Sequence, residues 1–119
     1  MVEEKRKYFR VSHDCDVLIS VPNTEFGKEY IVSSGESVNL SAGGMLLKYI
    51  YPIELETEIE LSFYLPYSKN KIKLYGKVLR VNKIQKDFEI GIKFINITDD
   101  EKIELDRLLM KLTNEQDMT

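Results

Sequence analysis

Apolar and polar residues alternate along most of the chain from Cys15 to Ile95, and a period of two marks strands with one buried face. Val17, Ile19 and Val21 alternate until Pro22-Asn23, which reads as a break. Tyr30 and Val32 resume the pattern, and Ser33-Ser34-Gly35 reads as a turn. Glu36 to Leu40 and Met45 to Tyr49 read as two short extended pieces. The clearest strand is Glu58 to Leu65, with Ile59, Leu61, Phe63 and Leu65 on one face and Glu58, Glu60, Ser62 and Tyr64 on the other. Pro66 to Asn70 is a loop. Ile72, Leu74, Gly76 and Val78 then share a face, but Leu79 and Val81 have the opposite parity, which is expected from a bulge or from a strand covered on both sides near its end. Phe88, Ile90, Ile92 and Phe94 alternate with Glu89, Gly91 and Lys93.

Short strands separated by turn signals, with no helix-length segment between them, predict an antiparallel sandwich or barrel and exclude parallel βαβ units. Closing the sheet on itself buries the apolar faces and removes exposed edges. The period changes after Ile95. Leu105, Leu108, Leu109 and Leu112 fall at i, i+3, i+4 and i+7, one stripe of a helix predicted over residues 99–113. Thr98-Asp99-Asp100-Glu101 has the form of a capping box, and its acidic first turn suits the positive end of the helix dipole. The stripe is expected to dock on the sheet. Two heptads are too few to make a coiled-coil seam the better reading. Residues 114–119 are expected to form a flexible tail.

A chain of 119 residues fits one domain. Seventeen Lys and Arg against 20 Asp and Glu give a net charge of -3, without the basic excess with which proteins coat long DNA or RNA. An anion bound here is therefore expected to be small and held locally. Cys15 is the single cysteine, so no internal disulfide can form and a reducing, cytoplasmic setting is expected. Neither a membrane-spanning apolar run nor the apolar core of a signal peptide is present, so no membrane insertion is expected.

Signals for catalysis are poor. His13 is the one histidine, which rules out a multi-histidine metal site, and no nucleophile-elbow, P-loop or dinucleotide-binding pattern occurs. No catalytic residue, metal ligand or cofactor site is assigned. Two other clusters stand out. Lys5-Arg6-Lys7-Tyr8-Phe9-Arg10 places four cations in six residues before the first strand, with Arg6 and Arg10 bracketing an aromatic pair. Guanidinium groups grip phosphates bidentately, pair with the O6/N7 edge of guanine and stack on bases. Asn39-Leu40-Ser41-Ala42-Gly43-Gly44 can turn Leu40 inward while Asn39 and Ser41 project outward together, and Gly43 and Gly44 allow a ligand near the backbone. Alone, the first cluster reads as a solvated basic tail and the second as a plain turn.

In combination they resemble the PilZ domain family. Arg6 and Arg10 match its R-x-x-x-R segment, and Asn39, Ser41 and Gly44 match its [D/N]-x-S-x-x-G motif. Gly76-Lys77-Val78-Leu79-Arg80 is similar to its G-x-V-x-R strand, and Ile90-Gly91-Ile92-Lys93-Phe94 to its I-G-[IV]-x-F strand. The resemblance spans Lys5 to Leu112.

It implies a mainly all-β fold: a six-stranded antiparallel barrel over residues 15–113 with one C-terminal helix, preceded by a basic switch segment, residues 1–14. It also implies a bacterial receptor for cyclic di-GMP. Arg6 and Arg10 would contact phosphates and guanine edges, Asn39 and Ser41 would bond a guanine, and Gly44, with Gly43, would keep the turn open. Lys5 stands where many relatives carry a second arginine, a position associated with ligand stoichiometry, and lysine brings charge without a planar fork. The output expected is regulation of a protein partner in trans, in motility, exopolysaccharide synthesis or adhesion. Self-association as a homodimer is left open. Two other readings remain: a PilZ-like interaction module that binds no nucleotide, and an OB-like single-strand binder, which the net charge disfavours.

Overall fold

The computed structural model describes residues 10–11, 15–23, 29–65 and 71–117. Among these residues seven strands and one helix follow in order: β1 (Arg10–Val11), β2 (Cys15–Asn23), β3 (Glu29–Ser41), β4 (Gly44–Tyr49), β5 (Glu58–Tyr64), β6 (Lys71–Ile84), β7 (Asp87–Ile95) and α1 (Asp99–Asp117). All pairings are antiparallel. The sheet runs β3-β2-β5-β6-β7-β4, and β3 also pairs with β4, which closes the six long strands into a barrel. The two-residue β1 adds to the end of β3. Of the two sheet architectures open from periodicity, the barrel is the one formed.

Inward positions of each long strand fill the interior. Val17, Ile19, Leu47, Ile59, Leu61, Phe63, Val78 and Ile90 are fully buried, joined by Leu40, Met45, Ile92 and Phe94. Each such side chain contributes about 1.5–3 kcal/mol of burial.

β3 runs unbroken from Glu29 to Ser41, so the turn expected at Ser33-Ser34-Gly35 is not made. Gly35 has another role. A Cβ there would stand 2.8 Å from the Lys48 carbonyl oxygen, so its absence lets β4 approach where β3 begins to share itself between β2 and β4. Pro22-Asn23 likewise ends no strand: β2 continues through Asn23 against β3. Its pairing with β5 stops at Ser20, so Pro22 sits where one side of the strand is unpaired, a place that tolerates a missing N–H.

The parity switch in β6 is a bulge. Val78 pairs with Ile92 and Arg80 with Gly91, which leaves Leu79 as the extra, exposed residue and returns Val81 to the core side.

The capping box forms reciprocally: Thr98 N–H donates to Glu101 Oε1 at 2.9 Å and Glu101 N–H to Thr98 Oγ1 at 3.1 Å. α1 lies against β1 and β3 and buries Leu105 and Leu109. Leu108 departs from the expected stripe and is 39% exposed. The buried arc turns instead toward the half-buried Lys102 and Asp106, leaving Leu108 at its edge. The helix also continues to Asp117, beyond the expected end at Thr113, because residues 114–117 contain no glycine or proline to stop it. No helix of the described residues is long and apolar enough to cross a membrane.

Candidate functional site

The turn motif is shaped by a second bulge. Ser37 pairs with Leu47 and Asn39 with Leu46, so Val38 is the extra residue. Ser37 is fully buried on the barrel side. Without the extra residue Asn39 would follow it inward; the bulge turns Leu40 into the core and leaves Asn39 and Ser41 half-exposed on the outer wall.

Past Ser41 the chain reverses tightly. Ser41 Oγ accepts a hydrogen bond from Gly43 N–H at 3.2 Å and lies 3.5 Å from the Gly44 carbonyl, to which it donates. Phe94 N–H donates to the Gly43 carbonyl at 3.0 Å, tying the turn to β7. A Cβ on Gly44 would collide with the Ile92 carbonyl oxygen. Gly44 is thus required by β7's backbone, whatever space a ligand needs. Ser41 both closes its own turn and presents its oxygen at the surface.

The amino-terminal cluster meets this turn through backbone pairing. Arg10 stands opposite Ser41 and Val11 opposite Leu40. Arg6 and Lys5 lie outside the described residues, as do Tyr8, Phe9 and His13; for Arg10 and Cys15 only the backbone is described.

On the other side of the turn the register defines two outward rows. Asn39, Leu46, Gly91 and Arg80 are successive partners across β3, β4, β7 and β6. In the adjacent row Gly44 pairs with Lys93, and Lys93 with Lys77. Lys77 is 3.6 Å from Glu56, while Arg80 and Lys93 are exposed. The polar turn is therefore flanked by β1 on one side and by Arg80 and Lys93 on the other. Sequence reading found the segments that carry Arg80 and Lys93 but did not place these side chains beside the turn. Their proximity depends on which strands pair and in which register, and no local pattern reveals that.

The interlocking of β6 and β7 accounts for the glycines in both strands. Gly76 leaves room for the Ile92 side chain, and Gly91 for the Arg80 side chain, whose Nε would be 3.0 Å from a Cβ at that position.

Two grooves of about 310 and 300 Å³ lie further along the outer wall and share Glu36, Lys48 and Asp87. Asp16 lines one and Glu89 the other, so carboxylates outnumber cations in both. Their charge has the wrong sign for a phosphodiester. Among the described residues no group of three His, Cys, Asp or Glu is placed to hold a metal ion.

The PilZ domain family profile matches residues 4–111. The chain belongs to the PilZ domain family. PilZ domains are in general non-catalytic receptor domains. Among solved structures, this PilZ domain superposes on the Bacillus subtilis inhibitor of motility MotI/DgrA with a TM-score of 0.75 at 18% identity, covering 95% of this chain and 53% of that one. It superposes on Escherichia coli YcgR in complex with c-di-GMP with a TM-score of 0.73 at 15% identity, covering 97% and 49%. For the K. pneumonia MrkH–c-di-GMP complex the values are 0.71, 16%, 98% and 56%. At such identities the likeness is one of fold, and the chain spans about half the length of these relatives. No curated protein matches the chain by sequence.

Proposed function

We propose that this PilZ domain is a bacterial receptor for cyclic di-GMP, acting in the cytoplasm by binding the nucleotide and presenting a changed surface to a protein partner. The observation that carries this reading is the pairing of Arg10 with Ser41, which joins the arginine-bearing segment to the asparagine–serine turn. Two structural relatives, YcgR and MrkH, were solved with c-di-GMP bound.

The chemistry follows from the residue types. Arg6 and Arg10 supply planar guanidinium forks for phosphate oxygens and for the O6/N7 edge of guanine. Asn39 offers a donor and an acceptor to a base, and Ser41 Oγ can bond a ligand with capacity its turn leaves unused. Gly43 and Gly44 keep the turn low, so a nucleotide can approach the backbone, and Lys5 would add positive charge to the ligand's surroundings. Binding would order the segment leading into β1. Since α1 lies against β1, the helix would feel that ordering, which is the sense in which ligand capture becomes a signal. Motility, exopolysaccharide synthesis and adhesion are the outputs to examine first; one of the relatives is an inhibitor of motility.

One observation favours a second reading, an interaction module without nucleotide: the Ser41 hydroxyl is already engaged within its own turn, so that serine also has a purely structural use. Titration calorimetry separates the two. Wild-type protein is expected to bind cyclic di-GMP at micromolar concentration or below. Arg6→Ala and Arg10→Ala should each weaken binding about tenfold or more, as loss of a charge-assisted pair implies. Absence of heat with folded wild-type protein refutes the receptor reading and leaves the interaction module.

A further inference from the structure

Arg80 lies on β6, three strands from Asn39, yet in the same outward row: Asn39, Leu46, Gly91, Arg80. At a strand spacing of about 4.8 Å, the two ends of this row are roughly 14 Å apart along the barrel wall. The residues between them make a low floor. Leu46 is half-buried, and Gly91 has no side chain. The Arg80 side chain lies over the Gly91 end of that floor: a Cβ on Gly91 would stand 3.0 Å from its Nε, 3.2 Å from its Cγ and 3.6 Å from its Cδ. It thereby lies over β7, on the side of its own strand nearer the polar turn. Arg80 is exposed, and none of the ion pairs among the described residues engages it. Lys93 stands in the adjacent row opposite Gly44, so positive charge continues from Arg80 to the turn itself.

We propose that Arg80 is a specificity-determining contact of the nucleotide site, closing on a guanine laid over Leu46 and Gly91 from the side opposite Arg10. The inference rests on the receptor reading above and extends it to a residue outside both binding motifs. A guanidinium can donate two parallel hydrogen bonds to O6 and N7 of guanine; adenine presents an amino donor in place of O6 and rejects that pairing. Lys93, a compact charge on a flexible stem, contributes attraction for the phosphates without choosing between bases. Gly91 has a matching role: its bare backbone is what allows the arginine to lie flat.

The test measures the affinities of cyclic di-GMP and cyclic di-AMP for wild type, Arg80→Ala, Arg80→Lys and Gly91→Ala, with a melting curve for each protein. Wild type is expected to prefer cyclic di-GMP. Arg80→Ala should lose about tenfold or more of that affinity with little change toward cyclic di-AMP, so the preference narrows, at an unchanged melting temperature. Arg80→Lys should recover little, because charge without the fork is insufficient. Gly91→Ala keeps the arginine but displaces it, and should fall between wild type and Arg80→Ala. Wild-type binding with Arg80→Ala unaffected overturns the inference alone. Equal weakening of both nucleotides also overturns it, since that marks a general charge effect. Wild-type protein that binds no cyclic di-GMP overturns it together with the receptor reading. Should Arg80→Ala melt early, the ligand preference of Arg80→Lys and Gly91→Ala decides by the same criteria.

Discussion

Arg10 and Ser41 face each other across a short antiparallel ladder, although thirty residues of chain, including all of β2, separate them. The pairing fixes where the basic amino-terminal segment enters the barrel: beside the turn that carries Asn39 and Ser41. On the receptor reading proposed above, an anion gripped by Arg10 would be gripped at the edge of that turn.

The turn itself makes a first prediction. Because a Cβ on Gly44 would meet the Ile92 carbonyl oxygen, which belongs to the paired backbone of β7, Gly44→Ala cannot be relieved by a rotamer change. It should destabilise the fold by about 2–3 kcal/mol, the scale of overpacking a rigid site. Gly91→Ala meets only the flexible Arg80 side chain and should cost far less. Urea denaturation of the two variants checks the contrast.

Much of this barrel is legible in the chain. β5 and β7 appear as clean alternation, the β6 bulge as a change of parity between Val78 and Val81, and the start of α1 as Thr98 and Glu101. The failures have a common cause: pairing between strands overrode a local signal. Ser33-Ser34-Gly35 has turn composition, but ladders with β2 and β4 hold it extended. Pro22 is accommodated where β2 has lost its β5 neighbour. The bulge at Val38 leaves no mark on the pattern because Ser37 is a polar residue on the buried face. The site divides in the same way. Its motifs are local and readable, whereas the row that brings Arg80 toward Asn39 is a product of register.

Ser37 makes the second prediction. Its hydroxyl is fully buried and has no hydrogen-bond partner among the described residues. A buried unsatisfied hydroxyl costs about 1–3 kcal/mol in lost hydration, so Ser37→Ala should be neutral or stabilising. Thermal melting is the check; a clear fall in melting temperature would mean that the hydroxyl has a partner in solution.

Acid should loosen the helix start. The Glu101 carboxyl is held below its ordinary value of 4.5 first by the hydrogen bond it accepts from the Thr98 backbone N–H, then by the Thr98 side chain. A carboxylate with a lowered folded-state pKa contributes stability that is fully present above its unfolded value and lost as pH falls through the lowered one. The cap's contribution should therefore hold at neutral pH and decline only below about pH 4.5. Glu101→Gln should remove that acid-dependent component, which melting curves from pH 7 to pH 3 would reveal. Thr98→Ala should cost about 1 kcal/mol at pH 7, as loss of an N-cap side chain does elsewhere.

The central claim is that one nucleotide is held jointly by the amino-terminal arginines and the asparagine–serine turn. Amide hydrogen exchange with and without cyclic di-GMP measures both segments in one experiment. The account predicts simultaneous slowing at residues 5–11 and 39–44, with both effects abolished by Arg10→Ala. Slowing confined to one of these segments, or found only at the acidic grooves around Glu36 and Asp87, would contradict it.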